Sequence, residues 1–242
     1  MELGEVILAQ TAAAVGVPVL LPRTPPPSTD PRLLHELYLA QSTRGAELVD
    51  GVAGPDGRRD VPEGSVLALN FHDVPAEHRP VVREQLRRVA DLGPNLLDDP
   101  GTSAGSVLVV FYDGYREAGL FGAEECERLG IRALFLPVFT SSHPAWTGLT
   151  PDELAAVAAV HPLGFHTDSH RSGEEIDVAS LEDEVHEPVR RLTAAAGTAP
   201  LFGAYRGGGR FDPGRPADRV LQELGVRWWL SNWSLEPVPD AG

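Results

Sequence analysis

His166-Thr167-Asp168-Ser169-His170 sets two imidazoles four residues apart, a spacing at which both can close on one cation. Asp113, in Val110-Phe111-Tyr112-Asp113-Gly114, offers a carboxylate that would complete a three-ligand site with open positions. Three protein ligands plus a free position is the arrangement of a catalytic metal rather than a structural one. A divalent ion held this way polarises a carbonyl and activates water, so the chemistry it suggests is hydrolysis. Alone, an HxxxH pair is a weak signal. Its weight comes from the order in which its companions fall along the chain.

Those companions sit at the ends of apolar runs. Residues 65–71 read as a buried strand ending on His72-Asp73, and residues 106–111 as a second ending on Tyr112-Asp113-Gly114. Further strands are expected at 131–139, around 200–205 and at 226–231. Helical periodicity covers 80–92, 123–129 (stopped by Gly130) and 180–196, and Thr150-Pro151-Asp152-Glu153 carries the signature of a helix start. Alternating strands and helices imply parallel pairing and an α/β layered or barrel fold. In such folds catalytic groups collect where strands end, and every candidate ligand here lies just past a strand-like run. Residues 1–63 read as an N-terminal extension without recognisable chemistry, and 64–242 as the barrel domain. Within the extension, 24–31 is a Pro-rich linker, Asp30 and Pro31 open a helix with Leu33, Leu34, Leu37 and Leu39 on its apolar face, and 51–64 is a loop.

Composition narrows the function. The chain has 242 residues and a formal net charge of −15, which disfavours nucleic acid or an anionic membrane as partner. All 20 basic residues are arginine, so neither a Schiff-base lysine nor a phosphate-loop lysine is available. Cys126 is the sole cysteine, which rules out an internal disulfide and a thiolate metal cluster. The apolar stretch 6–22 has acidic flanks and is interrupted by Gln10, Thr11, Gly16 and Pro18. It reads as neither secretion signal nor membrane span, and a cytoplasmic location is expected.

The motif order resembles the polysaccharide deacetylase family, the NodB-like enzymes of carbohydrate esterase family 4. The family's T-F-D-D-G corresponds to Val110–Gly114, its H-[ST]-x-x-H is matched in full by His166–His170, and its R-x-P-[YF]-G is matched loosely by Arg206-Gly207-Gly208-Gly209. Between these, RLGIRALFLP and SLEDEVHEPVRRL occupy the places of the family's connecting segments, and the likeness extends over residues 64–235. The resemblance implies an irregular (β/α) barrel, a divalent metal, often zinc, on Asp113, His166 and His170, and removal of N- or O-acetyl groups from sugars. Leu69-Asn70-Phe71-His72-Asp73-Val74 is similar to the YHxV opening of a sub-branch with circularly permuted motifs. There a histidine from the first strand serves as general acid. That role falls to His72, since no histidine follows His186.

One departure stands out. Tyr112 occupies the position of the family's general-base aspartate, and a phenol with an ordinary pKa near 10 is a poor base at neutral pH. Such a base typically contributes about 10²–10⁴ in rate, so its loss weakens hydrolysis without removing its basis. Tyr112 is either a neutral replacement or a proton donor. The family's counterpart of Arg206 braces that base. Here the partner is missing, and Arg206 is expected to bind a substrate carboxylate or phosphate. Asp73 is expected to orient His72 or merely to start a turn, Asp168 to be solvated rather than a substitute base, and Gly207–Gly209 to be a flexible loop. Trp228 and Trp229 are candidates for a substrate wall, with at least one of the C-terminal tryptophans in the core. The expected function is metal-dependent hydrolysis of an N- or O-acylated sugar or a small biosynthetic intermediate. The alternative is the same scaffold turned to isomerisation, elimination or cyclisation, or to binding without catalysis.

Overall fold

The structure, a computed structural model, describes residues 16–26, 28–51, 59–98, 100–101 and 104–240. Part of the apolar N-terminal stretch (6–15) and of the expected loop (52–58) therefore lie outside the described residues. The chain begins with a strand that its sequence did not suggest. β1 (Val17–Pro22) pairs antiparallel with β2 (Ser65–Phe71). Pro18 and Pro22 are compatible with it because β1 is an edge, where a missing ladder donor is tolerated. β2 pairs in parallel with β3 (Ser106–Tyr112), and β3 with β4 (Leu134–Leu136). β4 is shorter than the run 131–139 because Pro137, directly after it, has no N–H to give the ladder.

A second sheet runs β5 (Phe202–Gly203), β6 (Trp228–Leu230), β7 (Leu235–Pro237), parallel and then antiparallel. Residues 163–165 join the two sheets through single parallel bridges, Phe135 to Leu163 and Phe165 to Gly203. The result is one curved α/β wall, parallel inside and antiparallel at both margins. It does not close among the described residues, since no bridge links β1 to β7.

α1 (Pro31–Asp50) covers that opening. The Asp30 side chain accepts from Arg32 N–H, Pro31 takes the first position, and Gly51 ends the helix at φ 85°. The expected 31–40 helix thus runs ten residues further. Its Leu34 and Tyr38 pack among Val66, Ala68, Leu108 and Val110, the inward-facing residues of β2 and β3. Trp233 Nε1 donates to the Leu34 carbonyl at 3.0 Å, and Gln41 Nε2 donates to the Trp233 carbonyl at 3.0 Å. Residues 17–50, expected as an extension, therefore supply an edge strand and a helix to the same wall.

The alternate residues face outward, where α2 (Arg79–Val89), α3 (Arg116–Leu129), α4 (Pro151–Ala158), α5 (Glu187–Ala196) and α6 (Pro216–Glu223) cover them. Phe71, Phe111 and Phe135 are register partners on this face. Their rings stack at 4.8 Å and 5.1 Å. α3 lies against that stack at Gly122, where an added Cβ would come within 2.3 Å of Phe111. Alanine gains about 1 kcal/mol over glycine in a helix, whereas overpacking costs about 1–3 kcal/mol. Phe111 is held between two rings and cannot step aside. Gly122→Ala is therefore expected to destabilise the chain on the order of 1 kcal/mol in urea titration; an unchanged or raised midpoint contradicts this packing.

The expected helix over 180–196 is interrupted. Its first turn, Glu182–His186, is π-helical, with Glu187 N–H bonded to the Glu182 carbonyl. Pro188 explains it. Proline has no N–H for the carbonyl four residues back, which is that of Glu184, and its ring crowds that carbonyl.

Candidate metal centre

The candidate groups all leave strand ends at one rim of the wall. His72 follows β2, Asp113 follows β3, His166 follows the bridged segment 163–165, and Arg206 lies three residues past β5. Asp113, His166 and His170 each offer one ligand atom, and the three atoms lie within 4.8 Å of one another. Asp113 Oδ1 is 3.3 Å from His166 Nε2 and 3.2 Å from His170 Nε2. That oxygen is buried and has no hydrogen-bond partner. His166 Nδ1 lies 2.9 Å from the Ala204 carbonyl, which can only accept, so Nδ1 carries the proton and Nε2 is bare. A bare imidazole nitrogen beside an orphaned carboxylate oxygen, both buried, is a donor set suited to a divalent cation and poorly satisfied without one.

Asp113 does a second task. Its Oδ2 accepts from His72 Nδ1 at 2.8 Å. Burial alone raises the Asp113 pKa, but the neighbouring His72, His166 and His170 imidazoles outweigh it and hold the carboxyl well below its ordinary range. Desolvation lowers the His166 pKa, with Asp113 opposing, so this imidazole stays a neutral ligand. Tyr112 stacks on His72 at 5.1 Å and meets His166 edge-on at 5.5 Å. Burial, with the neighbouring Asp113 charge, raises its pKa further above 10. A phenol shifted in this direction keeps its proton at neutral pH.

Backbone strain marks the same place. Among the described residues, only Asp113 (φ 64°), Thr167 (φ 67°) and His170 (φ 61°) adopt positive φ without being glycine. Such conformations cost about 1–3 kcal/mol each and persist where the surroundings enforce them. Continued as a strand, β3 would aim Asp113 at the outer face, opposite Tyr112. The left-handed turn at Asp113 and Gly114 brings it back over the rim. Thr167 is β-branched, the least tolerant type for this region; its Oγ1 accepts from Arg171 N–H at 3.0 Å. Trp146 Nε1 adds a brace, donating to the Asp113 carbonyl at 2.8 Å.

No protein-family model matches this sequence, and no curated protein matches it. Solved structures do. The deacetylase PplD of Streptococcus pyogenes, determined in complex with acetate, superposes with a TM-score of 0.55 at 14% identity, over 72% of this chain and 90% of that one. IcaB from Ammonifex degensii gives 0.52 at 16% identity, over 74% and 88%. BC0361, a polysaccharide deacetylase from Bacillus cereus, gives 0.53 at 12% identity, over 71% and 63%. This is the NodB-like deacetylase fold.

Within the deacetylase fold a cavity opens beside the triad. His72, Tyr112, His166, His170 and Arg206 line it, as expected residues brought together. Tyr38, Asn70, Tyr205 and Asn232 also line it, and sequence reasoning missed them. Tyr38 comes from α1, and no motif points to it. Asn70, however, is a polar residue in an apolar strand, one turn of the pleat before His72. That placement was a readable signal. Its Oδ1 is buried without a partner.

Other expected residues are placed elsewhere. Asp73 is exposed and lines a separate groove with Arg79, Tyr115 and Arg116; the carboxylate on His72 Nδ1 is that of Asp113. Arg206 is not left without an anion, since its Nη2 contacts both Glu175 oxygens at 2.9 Å. Trp229 is wholly buried and donates to the Gly209 carbonyl at 2.9 Å. It is core, not a substrate wall. Trp228 lies under the Arg23 guanidinium, 6.0 Å from its ring centre, and is absent from the cavity lining. The Asp168 carboxylate takes Thr140 Oγ1 at 2.8 Å and Arg191 at 3.5 Å; it is half-buried and bonded away from the triad rather than solvated. Among the described residues, no helix is long and apolar enough to cross a membrane.

Proposed function

We propose that this chain is a metal-dependent hydrolase that removes acyl groups, acetyl first among them, from the amino or hydroxyl groups of a sugar or small biosynthetic intermediate. The observation that carries this reading is the buried, unpartnered Asp113 Oδ1 facing the Nε2 atoms of His166 and His170. Asp113, His166 and His170 would hold the cation, most simply Zn²⁺ given two imidazoles and one carboxylate. When bound, that ion supplies Lewis-acid polarisation of the acyl carbonyl and lowers the pKa of water from roughly 15.7 towards 7.

The chain's own residues supply the proton traffic. Ionised Asp113 can only accept, so His72 carries its proton on Nδ1 and presents a bare Nε2. With Tyr112 kept protonated, His72 is the group lining the cavity that can take a proton from the attacking water. It can return that proton to the leaving nitrogen or oxygen. One imidazole thus covers both roles that the family divides, with Asp113 steadying its charged form. Tyr112 contributes a neutral O–H donor to the cavity, and Asn70 a free acceptor for a substrate N–H or O–H. Arg206 reaches a substrate anion only by giving up Glu175.

The test is metal stoichiometry by mass spectrometry together with acetate release from N-acetylglucosamine oligomers and acetylated amino sugars. The expected result is one zinc per chain and acetate release that stops on chelation and returns with Zn²⁺. Bound zinc with no acetate released from any acylated substrate points to altered chemistry on this scaffold. No zinc and no turnover leaves a binding protein.

A further inference from the structure

The loop that carries both histidines is held from behind by one buried carboxylate, and we infer that this residue, Glu184, is a positioning residue for the metal centre. The inference rests on the metal-binding reading above. Glu184 is 4% exposed and sits in the π-helical turn Glu182–His186. Its Oε2 accepts from the backbone N–H groups of Asp168 and Ser169 at 3.2 Å and 3.1 Å. Its Oε1 accepts from Ser169 Oγ at 2.5 Å and faces Arg171 Nε at 3.1 Å. These donors lie between the two ligands or directly after the second. On its other side the loop is pinned at the Asp168 carbonyl, which accepts from Phe139 and Thr140 N–H at 2.8 Å and 2.9 Å.

The loop needs such a hold. His166 and His170 are not set on a helix; their approach depends on left-handed backbone at Thr167 and His170. Conformations of that kind relax unless neighbouring groups enforce them. Glu184 grips the two residues between these strained positions, so its bonds fix where both imidazole nitrogens point. The π turn serves the same end. Single π turns inside α-helices recur at functional sites, and this one, forced by Pro188, is the turn that displays Glu184. Groups that orient metal ligands without touching the metal commonly change affinity by about 10–100-fold when they are lost.

The experiment compares Zn²⁺ affinity, by competition with a chromophoric chelator, and the visible spectrum of the Co²⁺-loaded protein for wild type, Glu184→Gln and Glu125→Gln. Glu125 is a matched control. It is 6% exposed, in α3, and bracketed by Arg83 at 2.6 Å and Arg128 at 2.6 Å. Glu184→Gln puts an N–H₂ group against the loop's donors. It is expected to weaken Zn²⁺ binding by about 10–100-fold and to change the Co²⁺ bands. Glu125→Gln is expected to lower the melting temperature while leaving Zn²⁺ affinity and the Co²⁺ spectrum at wild-type values. If Glu184→Gln misfolds by circular dichroism, Ser169→Ala, which removes only the Oγ contact, is expected to weaken Zn²⁺ binding in the same direction. Wild-type affinity and spectrum in a folded Glu184→Gln or Ser169→Ala chain overturn the inference and leave the metal reading intact. A wild-type chain that binds no Zn²⁺ overturns the metal reading itself and this inference with it.

Discussion

Asp113→Ala is expected to abolish stoichiometric zinc binding and to take acetate release to background, the largest loss any single substitution should cause here. The reason is that one carboxylate does two things. Oδ1 faces His166 and His170, and Oδ2 receives the proton of His72. Removing it leaves two imidazoles, too few ligands for a catalytic zinc site, and frees His72 to rotate. Asp113→Asn separates the two tasks. The amide can still offer one oxygen towards the histidines, but its N–H₂ group would donate to His72 Nδ1 and move the imidazole proton to Nε2. That tautomer cannot accept a proton from water. The equivalent tautomer error in a Ser-His-Asp hydrolase costs about 10⁴ in kcat, and a loss of that order is expected here even where zinc is retained. Mass spectrometry and acetate release read both effects. An Asp113→Ala chain that keeps zinc at wild-type affinity would falsify this assignment of the ligand.

How far the sequence shows this site depends on what each residue needs in order to act. Asp113, His166 and His170 are visible because metal chemistry restricts residue type, and because each follows an apolar run that has few foldings available. What brings them together is not visible. The left-handed turns at Asp113, Thr167 and His170 leave no compositional trace, since none of these residues is the usual glycine or asparagine. Glu184 is one of several glutamates in an acidic helix, and only the π turn at Pro188 singles it out. Trp229 and Trp228 sit adjacent on a strand whose inner and outer faces are both apolar, so alternation could not say which one is core. Asp73 is the neighbour of His72 in the chain, but consecutive residues leave a strand in opposite directions; Asp113, turned back over the rim just past the end of β3, is the one that reaches it. β1 was missed for a related reason, and α1, whose start was legible at Asp30 and Pro31, was not placed on the wall. A Pro-containing edge strand and a helix of mixed face owe their places to the open margin of the wall, a tertiary fact. Tyr38, deep in the cavity, follows from that same fact.

Tyr112→Asp carries the second large expectation, and with the opposite sign. Burial and the Asp113 charge hold the Tyr112 phenol protonated, so the position to which the motif resemblance assigns a general base supplies none. An aspartate there should add a base worth up to about 10²–10⁴ in rate. Two costs oppose the gain. The ring packs between His72 and His166, and truncating a large buried side chain costs roughly 3–5 kcal/mol. A second carboxylate beside Asp113 also raises the pKa of one of the pair, an effect that a bound cation offsets. The measurement therefore belongs at saturating zinc, at low temperature, on protein shown to be folded. Tyr112→Phe is its companion. It keeps the ring and removes only the hydroxyl, so it should bind zinc normally, and any fall in acetate release measures the phenol as a donor. A folded, zinc-loaded Tyr112→Asp chain that releases acetate no faster than wild type would mean that a missing base is not what limits this site. His72 would then already complete the proton transfer alone, or the scaffold would be carrying a different reaction; the acetate release of the wild type decides between those two.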